Sequence, residues 1–193
     1  MRAVSGECCC AVVLAAGASR RLGRPKQTVV IDGEMLVERA VRVVMEAELS
    51  PVIVVVSPDA EFVDALRERG CLIAVNEEAA EGMAASIRRG VETARMLQAA
   101  GVVVMACDQP RLRAEHLRAL VAEPGRVTGS RYAGRTGVPV YFPAVCFEEL
   151  LRLKGDAGAR EMLREAAFVE DEGLALDVDT EADVERARRL AER

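Results

Sequence analysis

The chain has 193 residues, a formal charge of −5 at pH 7, 51% hydrophobic, 30% charged and only 3% aromatic residues. That is a length for one domain with a full core, so residues 1–193 are read as a single domain, with 1–9 as an N-terminal extension. The acidic balance and the shortage of stacking aromatics argue against nucleic acid, and no apolar run is long enough to span a bilayer.

The predicted elements follow in chain order. Met1–Gly6 does not read as a signal peptide, because Glu7 interrupts before the apolar run begins. Cys8-Cys9-Cys10 invites a metal reading, but neighbouring residues of a strand face opposite ways and rarely share one tetrahedral ion. The six cysteines lack CxxC spacing, which points to a reducing, cytoplasmic setting. Cys10–Ala15 is a buried strand, Val37–Ala47 a helix, and Pro51–Ser57 a second buried strand. Glu61–Arg69 reads as a helix ending at Gly70, Leu72–Val75 as a strand, Met83–Gln98 as a helix and Val102–Ala106 as a fourth strand. Ala114–Val121 and Glu181–Leu190 are helical. Between them, Arg126–Tyr132 and Gly137–Phe142 form a strand pair of antiparallel or mixed character. Apolar strands alternating with helices predict an α/β fold: a doubly wound, Rossmann-like, mostly parallel sheet with helices on both faces and a small antiparallel addition.

Three features carry candidate chemistry. The first strand runs into Leu14-Ala15-Ala16-Gly17-Ala18-Ser19, then Arg20, Arg21, Gly23, Arg24 and Lys26. Small residues admit a ligand close to the backbone, Gly17 permits turn dihedrals closed to other residues, and the cations suit a polyphosphate. The same residues also fit a turn with a solvated basic face. The fourth strand stops at Asp108, on the rim where parallel sheets gather ligands. A carboxylate there suits Mg2+ beside a triphosphate, or a helix N-cap. The single histidine, His116, sits in a pattern that reads as a helix surface, and no GxSxG elbow accompanies it.

The run from Leu14 to Lys26 resembles the LAAGxSxRxGxxK signature of MobA-like nucleotidyltransferases, matched at Leu14, Ala15, Ala16, Gly17, Ser19, Arg21, Gly23 and Lys26. Cys107-Asp108-Gln109-Pro110, Asn76 with Gly82-Met83 and Ser86, Lys154–Arg160, and Asp177–Asp183 resemble further elements of the molybdenum-cofactor cytidylyltransferase branch. Val138 departs from it, standing between Gly137 and Pro139 where histidine is common.

The resemblance implies a nucleotide-diphospho-sugar transferase-like fold and a Mg2+-dependent transfer, most simply of CMP from CTP, to the phosphate of molybdopterin, with pyrophosphate released. It implies catalytic roles for Arg21, Lys26 and Asp108, with Asp108 and Asp179 holding the metal. Nucleotide contacts fall to Leu14, Ala15, Ala16, Gly17, Ser19, Arg21, Lys26, Asn76, Gly82 and Ser86, and acceptor contacts to Gly137, Pro139 and Asp156. A molybdoenzyme or its chaperone is the implied protein partner. The alternatives are another base or acceptor, an oxidoreductase, or a non-catalytic accessory protein in molybdenum hydroxylase maturation.

Overall fold

A computed structural model describes residues 8–19, 21–155 and 159–191, so the readings of Met1–Gly6, Arg20 and Asp156 fall outside the described residues. The strands are β1 (Cys9–Ala15), β2 (Val30–Ile31), β3 (Glu34–Met35), β4 (Val52–Val56), β5 (Leu72–Val75), β6 (Gly101–Ala106), β7 (Thr128–Tyr132), β8 (Arg135–Pro143) and β9 (Ala167–Glu170). The α-helices are α1 (Leu36–Glu46), α2 (Val63–Glu68), α3 (Met83–Met96), α4 (Ala114–Leu120), α5 (Phe147–Leu150) and α6 (Glu181–Ala191).

Seven strands form one sheet in the order β5-β4-β1-β6-β8-β7-β9. β5, β4, β1 and β6 are mutually parallel, and β8 runs antiparallel to both β6 and β7. The parallel part arises from sequence that tolerates burial on both faces. Every residue of β4, Val-Ile-Val-Val-Val, is buried, as β-branched strands under two helical layers must be. Alternate residues of β1 divide between the layers. Ala11, Val13 and Ala15 join the core that includes α1 and α4 residues, while Cys10 and Val12 join the core beneath α3 and α5. Cys9 packs against the first core and Cys10 lies in the second, so the cysteine run does diverge across the sheet.

Helix α3 lies close on β1 because Gly90 has no side chain. A Cβ there would fall 2.3 Å from Val12 Cγ1.

Two strand elements escape the sequence reading. The β2–β3 hairpin turns through Asp32 and Gly33, both at positive φ (56° and 76°), the pairing that Asp-Gly favours. Strand β9 pairs parallel to β7 at the sheet edge and leaves Phe168 partly exposed, with the Arg131 guanidinium 3.4 Å from its ring centroid. A small third core joins Leu22, Val29, Ile31 and Leu36 to Leu176, Val178, Val184 and Ala187. It fastens α6 and the segment before it onto the loop that leaves β1.

From β1 the chain builds β4 and β5 on one side and then returns to place β6 on the other. The carboxyl ends of β1 and β6 therefore flank a topological switch point, where open α/β sheets bind ligands.

Candidate functional site

The loop after β1 opens on buried Ala15 and Ala16 and half-buried Leu14. Its shape comes from a residue to which the sequence reading assigned no role. Gln27, only 3% exposed, donates from Nε2 to the carbonyls of Ala15 and Gly17, each at 2.9 Å. Gly17 does not adopt a positive φ, contrary to the expectation. The left-handed positions are Ser19 (46°) and Gly23 (73°), because the loop closes through the Leu22 and Gly23 amides, which both donate to the Ser19 carbonyl. What Gly17 contributes is space: nothing lies within 4 Å of where its Cβ would be. The Ser19 hydroxyl accepts the Lys26 amide at 2.9 Å and turns the chain back towards the strand ends.

That turn carries the Lys26 side chain to the carboxylates. Its Nζ donates to Asp108 Oδ2, at the end of β6, and to Asp179 Oδ1 at 3.1 Å, just ahead of α6. The Val178 amide donates to the Asp108 carbonyl at 2.9 Å, so the two acidic segments are stitched together through the backbone as well. Burial opposes the Lys26 charge, but the Asp108 carboxylate and hydrogen bonds from Nζ to Asp108 and Asp179 outweigh it and hold the ammonium above its ordinary range. Arg21 Nη1 reaches the other oxygen of Asp179 at 3.0 Å from a largely exposed position, and Arg24 forks onto Glu181 at 2.9 and 3.1 Å.

Asp108 does not cap a helix, since α4 begins at Ala114 and the residue preceding it is Arg113. Thr180 and Asp183 form a capping pair at the start of α6: Asp183 Oδ2 accepts the Thr180 amide at 2.9 Å and its hydroxyl at 2.7 Å.

Further acidic and polar groups close the site. Asp177 is raised to about 6, first by burial and then by the Asp108 charge, with Asp179 adding and Arg135 and Lys26 opposing. Arg135 Nη2 donates to Asp177 Oδ2 at 3.3 Å. The sequence reading quoted Asp177 and Gln109 only as letters of a motif. Gln109 proves to be 5% exposed and donates from Nε2 to the carbonyls of Val138 (3.3 Å) and Leu174 (3.2 Å). The segment Gly137–Pro139 is thereby held beside the turn that follows Asp108. Tyr132, to which no role was assigned either, seals this segment, for a Cβ on Gly137 would sit 3.0 Å from its hydroxyl.

On the other side, Asn76 and Ser86 are buried and bonded to each other at 3.0 Å, while Asn76 Oδ1 accepts the Glu78 amide. This pair joins the residue after β5 to the first turn of α3. Gly82 precedes α3 at φ 107°, and the next turn is covered where the Ala84 amide donates to the Gly155 carbonyl at 3.1 Å.

His116 departs from its expectation. It is buried, not on a helix surface, and its Nε2 lies 2.7 Å from Ser130 Oγ with Asp171 3.9 Å from Nδ1. The helical spacing was read correctly but its inner face was not, because strands β7 and β9 cover α4. The trio resembles a hydrolytic triad in composition only. Ser130 is fully buried and its single proton goes to the Pro139 carbonyl at 2.7 Å, so the hydroxyl accepts from His116. Burial lowers the imidazole, against Asp171 and with Arg113.

Asp108 and Asp179 fit a divalent cation. They are hard oxygen donors already converging on one positive atom. Among the described residues no group of three or more His, Cys, Asp or Glu side chains could hold an ion, and two carboxylates completed by substrate phosphates and water is the usual protein share for Mg2+.

A doubly wound sheet whose switch point brings a small-residue loop and a lysine onto two carboxylates, one at the end of β6 and one just ahead of α6, has the architecture of the Rossmann-like nucleotidyltransferase class. The chain is a member of the family defined by the MobA-like NTP transferase domain, which matches residues 11–171. It is 32% identical to the purine catabolism protein PucB of Bacillus subtilis, covering 92% of this chain and 95% of that one. It is 33% identical to nicotine blue oxidoreductase of Paenarthrobacter nicotinovorans, covering 95% and 96%. Among solved structures, Rv0371c of Mycobacterium tuberculosis in complex with manganese superposes with a TM-score of 0.73 at 28% identity, covering 94% of this chain and 98% of that one.

Proposed function

We propose that the protein is a Mg2+-dependent nucleotidyltransferase that moves CMP from CTP to the phosphate of a molybdopterin-type acceptor and releases pyrophosphate. The observation that carries this reading is the convergence of Asp108 and Asp179 on a single cation beside the loop after β1. A divalent ion held by that pair supplies neutralisation of charge at the α-phosphate. Ala15, Ala16 and Gly17 let the triphosphate lie against the backbone, and Lys26 with Arg21 neutralises the β- and γ-phosphates as pyrophosphate departs. The acceptor phosphate is already ionised at neutral pH, so no side chain has to take a proton, and the burial of the only histidine is in keeping with that. Acceptor contacts are assigned to Gly137, Pro139 and Asp156 from the family-like sequence elements that contain them. The choice of CTP and molybdopterin rests on the sequence elements shared with the cytidylyltransferase branch, and a molybdoenzyme or its chaperone is the partner that would receive the product. Val138 in place of the common histidine marks where the acceptor contact differs.

The similarity to a nicotine blue oxidoreductase favours a second reading, in which the chain acts as an oxidoreductase. Pyrophosphate release from CTP, GTP or ATP with Mg2+ and molybdopterin separates the two. Turnover with CTP supports transfer, and no release with any of the three overturns it. Asp108→Asn is expected to cut pyrophosphate release about 100-fold or more while triphosphate affinity changes only a few-fold. Unchanged turnover in that variant would remove Asp108 from the metal role.

A further inference from the structure

Lys26 occupies a position that its proposed phosphate contact does not explain. Its Nζ is bonded to one oxygen of Asp108 and one of Asp179, the same pair read above as the metal ligands. The side chain is 19% exposed and the Asp108 side chain 13%, so this is a mostly buried ion pair that solvent screens only in part. An ammonium lodged between two carboxylates and a divalent cation bound by the same two carboxylates exclude each other, by volume and by charge. Arg21 also touches Asp179, but at 77% exposure it holds that carboxylate weakly.

We propose that Lys26 is the resident counter-ion of the carboxylate pair in the free protein, and that it exchanges places with the divalent cation when the triphosphate arrives. The inference rests on the reading of Asp108 and Asp179 as the metal pair. The physical basis is compensation. Without ligand, two facing carboxylates repel each other and need a cation, and Lys26 supplies it from the adjacent loop. Triphosphate oxygens bound against the loop that carries Lys26 would offer the ammonium an equally anionic partner. Once it moves to them, both carboxylates are free for the divalent ion. No proton or covalent bond changes, and Lys26 remains charged throughout.

Metal and triphosphate therefore bind with positive coupling, reciprocal in the two directions as linkage requires. The free protein holds back its own metal site until the nucleotide is present.

The experiment is Mn2+ binding to the purified full chain without nucleotide, read from the electron paramagnetic resonance signal of free Mn2+. Lys26→Met and Lys26→Gln remove the charge, and the glutamine keeps a hydrogen-bond donor for the carboxylates should the methionine variant fold poorly. Both are expected to bind Mn2+ at least tenfold tighter than the unsubstituted protein, and adding Asp108→Asn to either is expected to abolish the gain. In the unsubstituted protein, addition of CTP is expected to tighten Mn2+ binding at least tenfold beyond its binding to CTP alone. Mn2+ binding that is equal or weaker in both lysine variants, while CTP still promotes binding that needs Asp108, would overturn the exchange and leave the metal pair standing. Binding that is indifferent to Asp108 under every condition would overturn the metal pair and the exchange with it.

Discussion

Asp177 shows how far a single side chain can be set by its neighbours. Its carboxyl stands at about 6 against an ordinary 3.8, because it is buried and faces the Asp108 charge. A carboxylate raised in the folded state favours folding while protonated, and that contribution disappears as pH climbs from about 4 to about 6. At pH 7 the ionised group opposes folding. Asp177→Asn is therefore expected to stabilise the protein at pH 7 by about 1–3 kcal/mol, less whatever the Arg135 contact contributed. The gain should be absent at pH 4, as urea unfolding at the two pH values would show. An equal effect at both would mean that the group is not raised. Several residues at this scale were legible in the sequence. Asp108 could be singled out by its strand-end position and its motif, Lys26 by its place in the small-residue loop and its motif, and Asp179 by the family-like element alone. Gln27, Tyr132 and the orientation of His116 could not, because a buried polar side chain looks like any other until its partners are known. Gln27 matters through two carbonyls ten and twelve residues back in the chain.

At the scale of elements, the period of the apolar residues carried most of the information. The continuous apolar runs became β1, β4 and β6, and the helical patterns became α1, α3, α4 and α6, with every end within two residues of its expected place. Strand β9 was missed because its four residues alternate between half-buried and exposed at an edge, too short a signal to stand out. The role of Gly90 also belongs here. A glycine inside a helical pattern gives no reason for itself in the sequence, whereas the structure shows its cause in the approach of α3 to Val12 and Val55. Gly90→Ala should force these side chains or the helix to shift and cost about 1–3 kcal/mol, despite the better helix propensity of alanine. Thermal unfolding measures this, and a rise in Tm would show that the contact relaxes freely.

At the scale of the whole molecule, the site depends on the third core. Leu176, Val178 and Val184 pack with Leu22, Ile31 and Leu36, and this packing delivers Asp179 to Asp108 from the far end of the chain. Val184→Ala opens a cavity in that cluster and should cost about 1–2 kcal/mol. Its larger effect is expected on nucleotide-dependent Mn2+ binding, since it loosens the segment that holds Asp179 while leaving the main sheet cores intact. Loss of stability with metal binding unaltered would separate the cluster from the site.

By itself the sequence determined the α/β class, the parallel strands, the small-residue loop with its lysine, and the family resemblance, since these depend on local composition and short-range spacing. Only the tertiary structure decided that Asp179 meets Asp108, that Lys26 sits between them, that Gln109 ties Val138 to the same rim, and that His116 faces inward. Each of these is a contact between segments distant in the chain, fixed by how sheet and helices pack, and no local pattern encodes such a distance.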